Sequence, residues 1–228
     1  MAPTSRQIID SPIPATCLAA GAMIGERDGH TVTASYGSPP GEIAACKKSV
    51  GLADRSDIGT IEMRAATSVL DRLLSARLGD PPVPPGAARR VGRVWYLRLE
   101  ARRALLIGTH AALAAEPAVG KSADRAELSR KDIRTNVCII SIIGPRAGRL
   151  MGAAEMPNDL AIGAIGRDPL NDSVIAILRE SQRRILVLVR IPAIDAVWSR
   201  LLAAGEPLGA AFVGCDSLTL LDASSPDD

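Results

Sequence analysis

Four groups of residues in this chain have types and spacings that could do chemistry. Asp54-Arg55-Ser56-Asp57 sets two carboxylates and a hydroxyl side by side, a candidate acid cluster. The same residues suit a polar turn, because Asp and Ser side chains satisfy nearby backbone N–H groups at a corner. Ala115-Glu116-Pro117-Ala118-Val119-Gly120-Lys121-Ser122 fits a relaxed phosphate-loop pattern. Backbone N–H groups and a lysine would cradle phosphates there. Ala replaces the first glycine and Pro117 sits inside the cradle, which favours a plain connecting loop. His30 and His110 could each act as a base, but neither has a nucleophile beside it in sequence. His30, next to Gly29, reads as a loop residue. Arg89, Arg90 and Arg93, with Arg102 and Arg103, form a basic cluster that would attract an anionic tail or an acidic partner, or form a solvated strand face.

Composition removes several classes of function. Cys17, Cys46, Cys138 and Cys215 are widely separated, and with two histidines in the chain they offer no metal-ligand spacing. Scattered single thiols fit a reducing cytoplasm better than a disulfide framework. The net charge of +2 with interspersed signs, and five aromatic residues, argue against a nucleic-acid surface. No apolar run reaches the ~18 residues of a membrane span, and no basic start precedes an apolar run as in a signal peptide.

The elements that must position these residues follow from periodicity. Ser38 and Pro39 open a helix to about Val50, which Gly51 would stop. Gly59–Met63 reads as a strand and Thr67–Leu78 as an amphipathic helix. Pro81 to Gly86 is an extended loop. Val91–Leu99 and Ala104–Thr109 read as a hairpin, followed by helices at His110–Ala115 and Ala123–Arg130. The pattern then restarts. Asn136–Ile143 is a strand, and a helix opens at Gly144-Pro145. Ser173–Leu178 and Ile185–Val189 form a hairpin. A helix from Pro192 carries Ile194, Val197, Trp198, Leu201 and Leu202 on one face, and Gly205 would end it. A strand or turn at Gly209–Val213 and a short helix at Cys215–Leu221 close the chain. Strand, helix, hairpin and helix thus occur twice, roughly 80 residues apart. This is the split β-α-β plan of ferredoxin-like folds.

Four blocks of residues, in this order, resemble the folate-binding domain of the glycine cleavage T-protein family, the aminomethyltransferases. The first is Tyr36-Gly37-Ser38-Pro39-Pro40 leading to Gly51-Leu52-Ala53-Asp54-Arg55-Ser56-Asp57-Ile58-Gly59. The second is Ile143-Gly144-Pro145-Arg146-Ala147, and the third is Ala196-Val197-Trp198-Ser199-Arg200-Leu201-Leu202-Ala203-Ala204-Gly205. The fourth is Gly214-Cys215-Asp216-Ser217-Leu218-Thr219-Leu220. The resemblance implies an α+β fold of two ferredoxin-like subdomains within one domain over 11–223. Subdomain one would cover about 59–133 and subdomain two about 134–223, with 11–58 packing on both and 1–10 and 224–228 as tails. It implies tetrahydrofolate as the cofactor, with Ile58, Arg179, Glu180 and Asp216 as the residues that contact it.

Departures from the family pattern bear on activity. The family's acidic first hairpin, whose carboxylate assists one-carbon transfer, is here the basic Gly86-Ala87-Ala88-Arg89-Arg90-Val91-Gly92-Arg93-Val94. A general acid or base needs a titratable group within hydrogen-bond reach, and only Asp80 or Glu100 lies near in sequence. The family's Gly-Tyr-Thr-Gly-Glu loop is replaced by Arg179-Glu180-Ser181-Gln182-Arg183-Arg184, where Glu180 would take the role of the pterin-holding Glu. Cys215 stands where the family has an Arg facing the folate tail. The likeness stops before the family's C-terminal β-barrel. A short chain of this kind is similar to the gamma subunit of heterotetrameric sarcosine oxidase. The resemblance therefore implies a protein of tetrahydrofolate-linked one-carbon metabolism, either a folate-binding or accessory subunit without independent catalysis or an active aminomethyl or methyl transferase. A non-folate interaction scaffold is the third reading. Expected partners are a larger flavoenzyme or a T-protein-type complex, in the cytoplasm, with no catalytic residue assigned.

Overall fold

Strands whose every residue is buried must be covered on both faces. Val94 to Leu99, Ala104 to Gly108, Val137–Ile143, Val174 to Leu178 and Ile185 to Val189 are all of this kind. A computed structural model, which describes residues 13–116 and 127–224, shows what covers them.

The chain begins with α1 (Ala15–Ala19), the hairpin β1 (Met23–Arg27) and β2 (His30–Ser35), α2 (Pro39–Lys48) and β3 (Val50–Asp54). Next come β4 (Ile58–Arg64), α3 (Thr67–Leu78), β5 (Ala87–Val91), β6 (Val94–Glu100), β7 (Arg103–Thr109), α4 (His110–Ala115) and β8 (Ser129–Asp132). The remainder is β9 (Val137–Ile143), α5 (Ala147–Ala153), β10 (Ile165–Gly166), β11 (Val174–Ser181), β12 (Arg184–Arg190), α6 (Ile194–Gly205), β13 (Ala210–Val213) and α7 (Cys215–Ser224). The architecture is α+β. Sheet one has the order β5-β6-β7-β4-β8, and sheet two the order β10-β11-β12-β9-β3-β13. In sheet one, β7 lies antiparallel between β4 and β6; in sheet two, β12 lies antiparallel between β9 and β11.

The two sheets pack face to face. Side chains alternate across a strand, so Trp95, Leu97, Leu105 and Ile107 of sheet one meet Ile139, Leu178, Leu186 and Leu188 of sheet two. The intervening residues point outwards. Tyr96 and Leu106 pack under Val69, Leu70 and Leu74 of α3. Ile140, Ile142, Val187 and Val189 pack under Leu150 and Met151 of α5 and Val197, Trp198 and Leu201 of α6. The result is four layers, helix, sheet, sheet, helix.

Several sequence expectations are corrected. Gly51 does not stop a helix. It sits inside β3, and a Cβ there would stand 2.5 Å from the Cys46 sulfur and 2.7 Å from Val213 Cγ2. β3 is inserted in sheet two, paired to β9 on one side and parallel to β13 on the other. Ser38 holds the N-cap position of α2 but makes no side-chain cap bond. His30 is a buried strand residue, not a loop residue. Ser129 and Arg130, expected at the end of a helix, belong to β8, an edge strand beside β4; residues 123–126 lie outside the described part, as do 117–122 of the phosphate-loop pattern. α6 does end at Gly205, but through a 3-10 turn, and it is Gly209, at φ 68°, that makes the turn into β13. Ser224, expected in the tail, ends α7.

Candidate functional site

A cavity of about 610 Å³ opens at one end of the junction between the sheets. Its apolar wall comes from inward-facing positions: Ile58 at the start of β4, Trp95 on β6, Ile107 on β7 and Leu186 on β12. Its polar wall comes from Arg55 and Asp57 before β4, Glu180 on β11, and Arg27 and Asp28 at the β1–β2 turn. The β5–β6 turn adds Arg90 and Arg93, and the β12–α7 side adds Arg184 and Asp222.

Most of these charges are neutralised within the chain. Arg55 Nε and Nη2 donate to both oxygens of Asp57, at 2.8 and 3.1 Å. Burial pushes the Asp57 carboxyl up, but the Arg55 charge and hydrogen bonds outweigh it and hold the group below its ordinary range. Burial likewise opposes the charged form of Arg55, and the Asp57 carboxylate overcomes it and raises the guanidinium further. Arg184 pairs with Asp222, and Arg27 with Asp216 at 2.7 Å. Arg90 donates to the Gly92 carbonyl at 3.0 Å. Arg90 and Arg93 have no carboxylate partner among the described residues. Two buried polar atoms of the lining have no hydrogen-bond partner there either: Glu180 Oε2, an acceptor, and Trp95 Nε1, a donor. Buried polar atoms are normally bonded, so an orphaned donor and acceptor in one cavity wall ask for a ligand with complementary groups.

The four residues named from the sequence are thus split. Ile58 and Glu180 line the cavity together. Arg179 is adjacent to Glu180 but points to the opposite face of sheet two. Its Nη2 donates to the Gln182 carbonyl at 2.5 Å, and its Nη1 lies by α5, 3.9 Å from where a Cβ on Gly148 would stand. Arg179 pairs with Ile185 and Ser181 with Arg184, so Glu180 is the extra residue of a β-bulge, which re-aims its side chain relative to Arg179. Asp216 is exposed in the first turn of α7, outside the cavity lining, and reaches it only through Arg27. Glu100 ends β6 and pairs with Arg167 at 3.2 Å; it too is outside the lining, as is Asp80. Trp95 and Arg27 were not singled out from the sequence. The alternation of Trp95 with Tyr96 was the available signal for Trp95. Arg27 belongs to a hairpin too polar to be recognised.

No metal-binding group of three or more His, Cys, Asp or Glu side chains occurs among the described residues. All four cysteines are buried, and burial pushes each thiol up, Cys46 and Cys215 to about 11 and Cys17 and Cys138 to about 12. Such thiols are poor nucleophiles at neutral pH. No helix among the described residues is long and apolar enough to cross a membrane.

No protein-family model matches the sequence, and no curated protein does either. Solved structures do match in fold. The glycine cleavage system aminomethyltransferase T from Bartonella henselae superposes with a TM-score of 0.72 at 17% identity, over 92% of this chain. This chain spans 60% of that protein's length. A chain of the heterotetrameric sarcosine oxidase from Corynebacterium sp. U-96 superposes with a TM-score of 0.53 at 17% identity, over 71% of this chain and 86% of that one. The chain therefore shares its fold with both. Its described sheets are open, and none closes into a barrel.

Proposed function

We propose that this protein is a T-protein-like, folate-binding or accessory subunit of tetrahydrofolate-linked one-carbon metabolism, without independent catalysis. The observation that carries the reading is the inter-sheet cavity, where Glu180 Oε2 and Trp95 Nε1 stand unpartnered beside an apolar wall. Those groups fit a reduced pterin. Glu180 would accept from its N–H donors, Trp95 would donate to an acceptor, and Ile58, Ile107 and Leu186 would cover the ring. Bound tetrahydrofolate supplies the amine nitrogens that carry a one-carbon unit. Arg179 and Asp216 remain in the reading as supports, Arg179 by fixing the turn after Glu180 and Asp216 by holding Arg27 at the rim. The reading takes the two sheets as the cores of two ferredoxin-like units, and a flavoenzyme or T-protein-type subunit as the partner.

The charges support the reading without independent catalysis. Asp57 and Asp222 are committed to arginines, Asp57 is held ionised, and the β5–β6 turn is basic. A general acid needs a proton to give at working pH. Positioning alone could still support slow transfer, which is the content of the transferase alternative.

Calorimetric titration of the full chain with 5-formyl-tetrahydrofolate tests the reading. Micromolar binding is expected, weakened about tenfold in Glu180→Gln, the loss of one charged hydrogen bond. No heat at millimolar ligand would overturn the folate reading and leave the scaffold alternative. Turnover of a one-carbon donor by the isolated chain would favour the transferase.

A further inference from the structure

A second polar constellation lies outside the folate reading. The His30 and His110 rings stack with centroids 3.6 Å apart and planes inclined by 23°. Arg134 Nη1 lies 3.0 Å from His30 Nε2 and 3.4 Å from His30 Nδ1, so the guanidinium rests against the same ring. The three groups come from three separate segments. His30 opens β2, His110 opens α4, and Arg134 sits in the link that carries the chain from sheet one to sheet two. His30 is 5% exposed, and a cavity of about 480 Å³ adjoins the cluster.

This arrangement tolerates neutral rings and opposes charged ones. A proton on either imidazole places a cation beside a guanidinium. Protons on both place three cations in one stack. Among the described residues, few charged groups line the adjoining cavity. From the β8–β9 side come Asp132 and Arg134, and Asp132 is already bonded to Arg134 through its backbone N–H at 3.1 Å and its Nε at 2.7 Å. From the β1–β2 turn comes Asp28. β4 and, beyond His110 itself, α4 present only uncharged residues to the cavity. Burial, then the neighbouring His30 and Arg134, hold His110 below its ordinary range. A base lowered in this way contributes stability that is complete above the unfolded value of about 6.5 and is lost as pH falls below it.

The position of the stack gives it a consequence. Arg27 and Asp28 lie three and two residues before His30 in the same hairpin, and Thr109 immediately precedes His110; all three line the inter-sheet cavity. We propose that the Arg134–His30–His110 stack is a proton-operated latch, in which neutral rings hold the β1–β2 hairpin against sheet one and protonation in mild acid releases it, loosening one wall of the inter-sheet cavity. The latch is independent of what that cavity binds.

Hydrogen exchange of the full chain, read as protection factors at pH 7.5 and 5.5, tests it, with imidazole NMR following ring protonation. The expected result is a fall of at least about tenfold for the amides of Thr31, Val32 and Thr33 as the rings titrate, while amides of β9 and β12 keep their protection. His30→Phe, which keeps a planar ring and cannot be protonated, should hold hairpin protection constant across the same range. His110→Gln serves the same purpose where the phenylalanine variant does not fold. Unchanged hairpin protection in the natural chain, or an equal fall in the neutral variant, would overturn the proposal.

Discussion

Asp54 and Glu42 show how two buried carboxylates acquire opposite tendencies. Burial raises both, but Glu42 accepts from Gly214 N, Ser217 Oγ, Tyr36 N and Ser35 Oγ at 2.7–2.9 Å, and these bonds hold it below its usual range. Asp54, 2% exposed, accepts from Thr33 Oγ1 at 3.0 Å, and its few partners leave burial dominant, so its carboxyl is pushed up to about 6. A carboxyl raised above its unfolded value of 3.8 favours the protonated folded state. Its cost is absent below about pH 4 and grows as pH rises through about 6. Asp54→Asn should therefore gain stability over the natural chain between pH 4 and 7, by up to about 3 kcal/mol for a shift of about two units. Urea unfolding at several pH values reads this difference directly; a difference independent of pH would contradict it. Asp54 was legible in the sequence as part of a polar corner. Its burial was not, because burial depends on β2 lying across it.

At the scale of elements, the N-terminal segment is built into sheet two by close backbone approach. β3 fits between β9 and β13 because Gly51 leaves room for Cys46 and Val213. The junction of β13 and α7 abuts β2 so closely that a Cβ on Gly214 would stand 2.1 Å from the Ala34 carbonyl oxygen. Gly214→Ala should cost about 3 kcal/mol, the upper range for overpacking. Gly21→Ala, at φ 87° with nothing within 4 Å of the added carbon, should cost only about 1 kcal/mol. Thermal or urea unfolding compares the two, and equal costs would count against the close approach. The apolar strands and amphipathic helices were readable from periodicity. β5, with the sequence Ala-Ala-Arg-Arg-Val, and β8, with Ser-Arg-Lys-Asp, were not, because edge strands carry charge instead of an apolar pattern. β3 was hidden because Gly51 after a helix reads as a stop.

At the scale of the whole molecule, two sheets packed face to face leave a cavity at their open end, and strand parity decides which residues reach it. A β-bulge at Glu180 separates it from Arg179, although the sequence reading names both, and parity delivers Trp95 while turning Tyr96 outwards. The family likeness of the four sequence blocks carried the fold. The members of the site on the N-terminal hairpin depend on a long-range packing that local patterns do not encode. The chain has two tryptophans, Trp95 in the cavity wall and Trp198 on the buried face of α6, and this makes the central claim directly measurable. The measurement is tryptophan fluorescence of the full chain titrated with 5-formyl-tetrahydrofolate, corrected for ligand absorbance. Saturable quenching in the natural chain that disappears in Trp95→Phe is the predicted result. Absence of saturable quenching, or equal quenching when Trp198 is the sole remaining indole, would contradict a folate site between the sheets.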